Sequence, residues 1–135
     1  MTRLRLRAGA RIVALLLLAS FVAACTERTG SIEISIRRSA FEPAAISVEA
    51  GSTVTFRIRN DDPIAHEFIL GTSAEQAAHE EGTEETHDGA PGAASLEPDE
   101  TAVVTYTFAR AGDLEYACHL PGHYAYGMRG TVTVS

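Results

Sequence analysis

Asp113-Leu114-Glu115-Tyr116-Ala117-Cys118-His119-Leu120-Pro121-Gly122-His123-Tyr124-Ala125-Tyr126-Gly127-Met128-Arg129-Gly130-Thr131-Val132-Thr133-Val134 reads as a strand, a loop and a second strand. Leu114, Tyr116 and Cys118 share one parity, and so do Val132 and Val134, the period-two pattern of strands with one face buried. The same pattern recurs upstream. Ile32, Ile34 and Ile36 alternate with Ser31, Glu33, Ser35 and Arg37; Val54, Phe56 and Ile58 follow the turn residues Gly51 and Ser52; Ala102, Val104, Tyr106 and Phe108 form a further alternating run. No segment from residue 31 onward carries a long helical stripe. Short strands punctuated by turns predict an antiparallel β-sandwich or barrel, its core filled by alternate side chains of two sheets.

The loop of the opening stretch holds the chemistry. Cys118 offers a thiolate, His123 an imidazole and Met128 a thioether, all within one tight connection. These are soft donors. Copper takes thiolate and imidazole strongly and thioether weakly, in a trigonal arrangement of two His and one Cys with a distant axial Met. A second His must come from elsewhere, and His66 supplies it at the start of the apolar run Phe68 to Leu70, after the turn-rich Asn60-Asp61-Asp62-Pro63. His66 shares its parity with Phe68 and Leu70, so it and Cys118 should both point inward near one end of the sandwich. His119 and Glu67 have the opposite parity and are expected to face outward, His119 as a surface histidine beside the site.

The chain has 135 residues, 45% apolar and 21% charged, which suits one domain that folds. All 11 basic residues are Arg, and four of them precede the apolar run of residues 12–24. That run falls short of the about 20 residues a spanning helix needs, so residues 1–24 read as an export signal peptide. Val22-Ala23-Ala24-Cys25 resembles a lipobox, which makes Cys25 the expected lipidation site, residues 25–30 a tether and the protein lipid-anchored to a bacterial membrane, extracytoplasmic. A Cys25–Cys118 disulfide would consume the thiol the metal needs. From Cys25 onward seven Arg face 18 acids, about −11; this surface repels phosphate, disfavours nucleic acid and favours a basic protein partner or a cation. Residues 71–98 break the alternation. They are acidic and poor in large apolar residues, and read as an inserted loop with one helical turn around residues 73–81, contributing little core. His79 and His87 lie there, with nine acids between Glu75 and Glu100.

Taken together, Phe41-Glu42-Pro43, Val48-Glu49-Ala50-Gly51, Val54-Thr55-Phe56 through Asn60, His66, Tyr116-Ala117-Cys118, Pro121-Gly122-His123 and Gly127-Met128-Arg129-Gly130 resemble the plastocyanin and azurin family of blue copper proteins, the cupredoxins. The resemblance covers most of residues 31–135. It implies a Greek-key β-sandwich of seven to eight strands, a monomer, one type 1 copper held by His66, Cys118, His123 and Met128, and single-electron transport to a redox partner. Family members often carry Asn after the first His, where Glu67 stands here, a difference that bears on the residues behind the ligands. The acidic insertion and His66-Glu67-Phe68 are similar to periplasmic copper-tolerance cupredoxins, whose role would be sequestration, with His79 and His87 as a second metal site.

An enzyme is disfavoured. Cys118 and His119 point to opposite faces, and no oxyanion-hole motif accompanies them. The His-x-His pairs that multicopper oxidases and copper nitrite reductases need are absent, as is a Cys-x-x-Cys-His haem motif. Met is a poor fourth ligand for zinc.

Overall fold

The computed structural model describes residues 29–82 and 90–135; the signal segment, Cys25 and His87 lie outside the described residues. Nine strands and one helix follow in the order β1 (Thr29–Arg37), β2 (Ala40–Glu42), β3 (Ala45–Val48), β4 (Ser52–Asn60), β5 (His66–Gly71), α1 (Ser73–Glu80), β6 (Ala93–Leu96), β7 (Thr101–Phe108), β8 (Gly112–Ala117) and β9 (Arg129–Val134). They form two sheets, β2-β1-β4-β7 and β3-β9-β8-β5-β6. β1 runs parallel to β4 and β3 parallel to β9, while the other pairs are antiparallel.

The alternation sets the burial. In β4, Ser52, Val54, Phe56, Ile58 and Asn60 turn inward, and the outward Thr53 and Thr55 meet Thr107 and Thr105 of β7 through hydroxyl contacts of 2.9 and 3.3 Å. Phe41, Phe56, Phe68, Phe108 and Tyr116 meet in the middle of the sandwich, the Phe41–Tyr116 and Phe68–Tyr116 ring centroids 5.3 and 5.5 Å apart. Such offset and edge contacts add to the burial term. Burial pushes the Tyr116 phenol up to about 12, so its hydroxyl keeps its proton and donates to Pro43 O at 2.6 Å.

Three features differ from expectation. The described strands number nine, because two short ones flank Pro43 and one lies inside the segment read as a loop. That last strand, β6, pairs with β5 and plants Leu96, 1% exposed, in the core, so the insertion does contribute core. In place of one helical turn, α1 runs for eight residues. Thr72 caps it: its hydroxyl accepts the Glu75 N–H while the Glu75 carboxylate accepts the Thr72 N–H at 2.6 Å, a reciprocal capping box. Gln76 then points inward, fully buried, its amide donating to Ile69 O and Glu115 O at 2.9 Å each. α1 is thereby stitched to β5 and β8.

Asn60 organises the end of the sandwich where the ligands sit. Its side-chain amide donates to Ile64 O, Leu96 O and Glu97 O, and its Oδ1 accepts the Asp62 N–H at 3.0 Å. Nearby, β1 and β2 are joined by Arg38 and Ser39, with φ of +53° and +51°, the left-handed pair that primed two-residue hairpins require. Neither is Gly, and each carries a conformational cost. The Asp62 carboxylate offsets it by accepting the Arg38 N–H at 2.5 Å and the Ser39 N–H at 2.6 Å.

Candidate metal centre

His66 is the first residue of β5, and Cys118 lies one residue beyond β8, the strand that pairs with β5. Both side chains therefore enter the sandwich at the same pole. The chain then folds into a tight loop, with His123 N donating to Leu120 O, Tyr126 N to Gly122 O and Gly127 N to Tyr124 O; Gly122 and Gly127 adopt φ of +85° and +94°. Met128 closes the loop. Its N–H donates to His123 O at 2.9 Å and its carbonyl accepts the Cys118 N–H at 3.2 Å, while its side chain is buried. The ligand atoms of His66, Cys118 and His123 all lie within 4.8 Å of one another. Cys118 Sγ is 3.3 Å from His123 Nδ1, and the two imidazole centroids are 5.1 Å apart.

One metal-facing atom has no hydrogen-bond partner. His66 Nε2 meets Asp62 Oδ2 at 3.0 Å, whereas the buried Nδ1 has no partner. An orphaned buried nitrogen costs about 1–3 kcal/mol, and a metal ion among Nδ1, thiolate and a second imidazole removes that cost. The donor set, one thiolate, two imidazoles and a thioether, is the one copper takes in its type 1 form. His66, Cys118, His123 and Met128 fit copper.

Burial pushes the Cys118 thiol above its ordinary range, only partly opposed by N–H groups of Glu67 and Leu120 and reinforced by the Glu67 charge. Burial likewise pulls His66 below its usual value, against the pull of Asp62, so its ring is neutral near pH 7. The metal-free centre thus holds a protonated thiol, and metal capture must release that proton. Protons then compete with the metal for Cys118. Cu(II) affinity is expected to rise by about tenfold per pH unit from mildly acidic to mildly basic buffer, as chelator competition at several pH values would show; a flat profile would mean that Cys118 is not a ligand.

Two neighbours behave differently from their sequence reading. His119 does lie on the face opposite Cys118, but it is no surface histidine: its side chain is 6% exposed. α1 covers it. Nδ1 is 3.0 Å from Glu80 Oε2, Nε2 is 2.7 Å from Gln76 Oε1, and the ring stacks on Tyr124 at 4.8 Å. Glu67 also leaves the core face, yet its carboxylate accepts the His119 N–H at 3.3 Å and its own N–H donates to Cys118 Sγ at 3.3 Å. Glu67 thus ties the two ligand segments together from the position where Asn often stands. His79 sits on α1 with its ring 5.4 Å from that of His119 and is not part of the donor group. Asp62, Asn60 and Gln76 were missed; Asn60-Asp61-Asp62-Pro63 signalled a turn, and nothing in it marked Asp62 as the partner of a ligand.

No helix among the described residues is long and apolar enough to cross a membrane. Residues 29–135 match the model of the copper binding proteins of the plastocyanin/azurin family. The copper-resistant cuproprotein CopI of Pseudomonas aeruginosa is 32% identical over 145 residues, spanning 83% of this chain and 80% of that one. CopI of Rubrivivax gelatinosus is 39% identical over 97 residues, spanning 70% of this chain and 59% of that one. Among solved structures, auracyanin A, a blue copper protein of Chloroflexus aurantiacus, superposes with a TM-score of 0.67 at 27% identity, covering 79% of this chain and 99% of that one. With a two-sheet sandwich, a donor cluster at one pole and these likenesses agreeing, the chain belongs to the plastocyanin/azurin family of copper-binding proteins.

Proposed function

We propose that the protein carries single electrons outside the cytoplasm, tethered to a bacterial membrane through a lipid on Cys25, and that it is not an enzyme. The observation that carries this reading is the donor cluster itself, with a buried thiol and an unpartnered imidazole nitrogen at one pole of a rigid sandwich. Bound copper supplies a one-electron couple. The chain's own residues do the rest. Cys118 would hold copper as a thiolate after losing its proton, His66 and His123 would hold it through imidazole nitrogens, and Met128 would add a weak thioether donor. His66 is held from beneath by the fold, whereas His123 sits on a partly exposed loop beside Tyr126, which is 93% exposed. Electrons enter and leave on that side. The acidic mature surface, about −11 from Cys25 onward, speeds encounter with a basic docking face on a redox partner, the protein itself acting as a monomer.

A second reading is copper sequestration in metal tolerance, favoured by the likeness to the two copper-resistant cuproproteins. It would use His79 and His87 for a further copper ion. Stoichiometry separates the two. The electron carrier is expected to take up one Cu(II) per chain, with an intense visible band, and to keep that ratio when His79 and His87 are both changed to Ala. A ratio above one that drops in the double variant would favour sequestration, and a colourless protein would remove the copper reading altogether.

A further inference from the structure

Asp62 stands behind the site on the far side of His66, and its surroundings are unusually complete. Its carboxylate takes three donors: the Arg38 N–H at 2.5 Å on Oδ1, the Ser39 N–H at 2.6 Å on Oδ2, and His66 Nε2 at 3.0 Å on Oδ2. Its own N–H is fixed by Asn60 Oδ1, and Asn60 is fixed by three carbonyls. The residue is buried, 9% exposed. Backbone N–H donors reach both of its oxygens, the arrangement a carboxylate anion takes.

We infer that Asp62 is a positioning residue that fixes His66 as the Nε2–H tautomer and, by its charge, lowers the reduction potential of the copper centre. An ionised carboxylate can only accept, so Nε2 must carry the hydrogen and the lone pair must reside on Nδ1, the atom left open towards Cys118 and His123. The tautomer is thus set before metal arrives. A negative charge hydrogen-bonded to the far side of the ring also makes Nδ1 a stronger donor. The more highly charged Cu(II) gains more from that donor than Cu(I), which shifts the couple towards the oxidised form. The inference rests on the copper reading and adds to it what sets the couple.

Asp61 provides the control. It carries the same charge one residue away, but it turns outward to Arg37 at 3.1 Å and Arg59 at 2.5 Å. The test compares wild type, Asp62→Asn and Asp61→Asn as full copper-loaded proteins, by redox titration of the visible band and by chelator competition for each oxidation state. Asp62→Asn is expected to stay blue, to lose about 10–100-fold in Cu(II) affinity and to lose less in Cu(I) affinity. Each tenfold difference between the two losses raises the potential by about 59 mV. Asp61→Asn is expected to shift it far less. A wild-type potential in Asp62→Asn, or an equal shift in Asp61→Asn, overturns the inference while leaving the copper site standing; a wild type that takes up no copper overturns the copper site itself. Should Asp62→Asn not fold, nitrogen NMR of the metal-free wild type decides: His66 protonated at Nε2 supports the inference, and protonation at Nδ1 overturns it.

Discussion

Cys118→Ser is expected to give a folded, colourless protein that loses its copper on desalting. The thiol is fully buried, 3.3 Å from His123 Nδ1, and accepts the Glu67 N–H. A serine hydroxyl is a hard donor that keeps its proton at neutral pH, so it can accept that N–H but cannot supply the soft anionic donor that copper favours. The remaining His66, His123 and Met128 make a neutral site. The loss in affinity should exceed the roughly 10–100-fold that follows removal of a residue merely supporting a ligand, while stability changes by only about 1 kcal/mol, the scale of one hydrogen bond. Visible absorption, electron paramagnetic resonance and copper content after gel filtration read the first effect; thermal melting of the metal-free forms reads the second. A Cys118→Ser protein that remained blue would show that the chromophore lies elsewhere.

Gly130→Ala should be the most damaging small change in the scaffold. Gly130 lies on β9 directly opposite Tyr116 of β8. A Cβ at this position would stand 2.2 to 2.4 Å from the Tyr116 ring and hydroxyl. The ring has nowhere to go. It is fully buried, stacked on Phe68, met edge-on by Phe41 and tied through its hydroxyl to Pro43 O. Overpacking costs about 1–3 kcal/mol and a lost buried hydrogen bond about 1 more, against a total stability of about 5–15 kcal/mol for a small domain. A fall in Tm of about 15 °C follows from the usual scaling for a domain of this size. Pairing the change with Tyr116→Leu should recover part of the loss, because the clash disappears with the ring; single variants whose costs simply added would show that the two residues are not in conflict.

The sandwich was legible because its strands alternate over long stretches. Val54, Phe56 and Ile58 declare one face without help from any other part of the chain, and the Cys118, His123 and Met128 spacing declares a metal loop in the same way. What escaped has another character. Leu96 belongs to a four-residue strand, Ala93–Leu96, too short and too rich in small residues for a period to show. Gln76 looks like any polar helix residue until β5 and β8 offer it two carbonyls. Parity placed His119 on the correct face but could not reveal that α1, whose Gln76 is 43 positions away, roofs that face. Asp62 escaped for the same reason, since two of its three donors come from the β1–β2 turn. Local pattern shows which way a side chain points; only tertiary structure shows what meets it.

The two parallel pairings fix when the cage can exist. β1 waits for β4, and β3, near the beginning of the domain, has its partner in β9, where Ala45 lies beside Thr131. Folding dominated by such distant pairings proceeds in milliseconds to seconds, about the pace of other all-β domains, because loop-closure entropy must be overcome before contacts reward it. Three of the four donors also lie in the final stretch of the chain, between residues 118 and 128, just ahead of the strand that finishes the second sheet. No early fragment can present the complete donor set. A chain cut short before β9 would carry every ligand and still lack the strand that joins β3 to β8, so its donors would have no finished sheet to aim them.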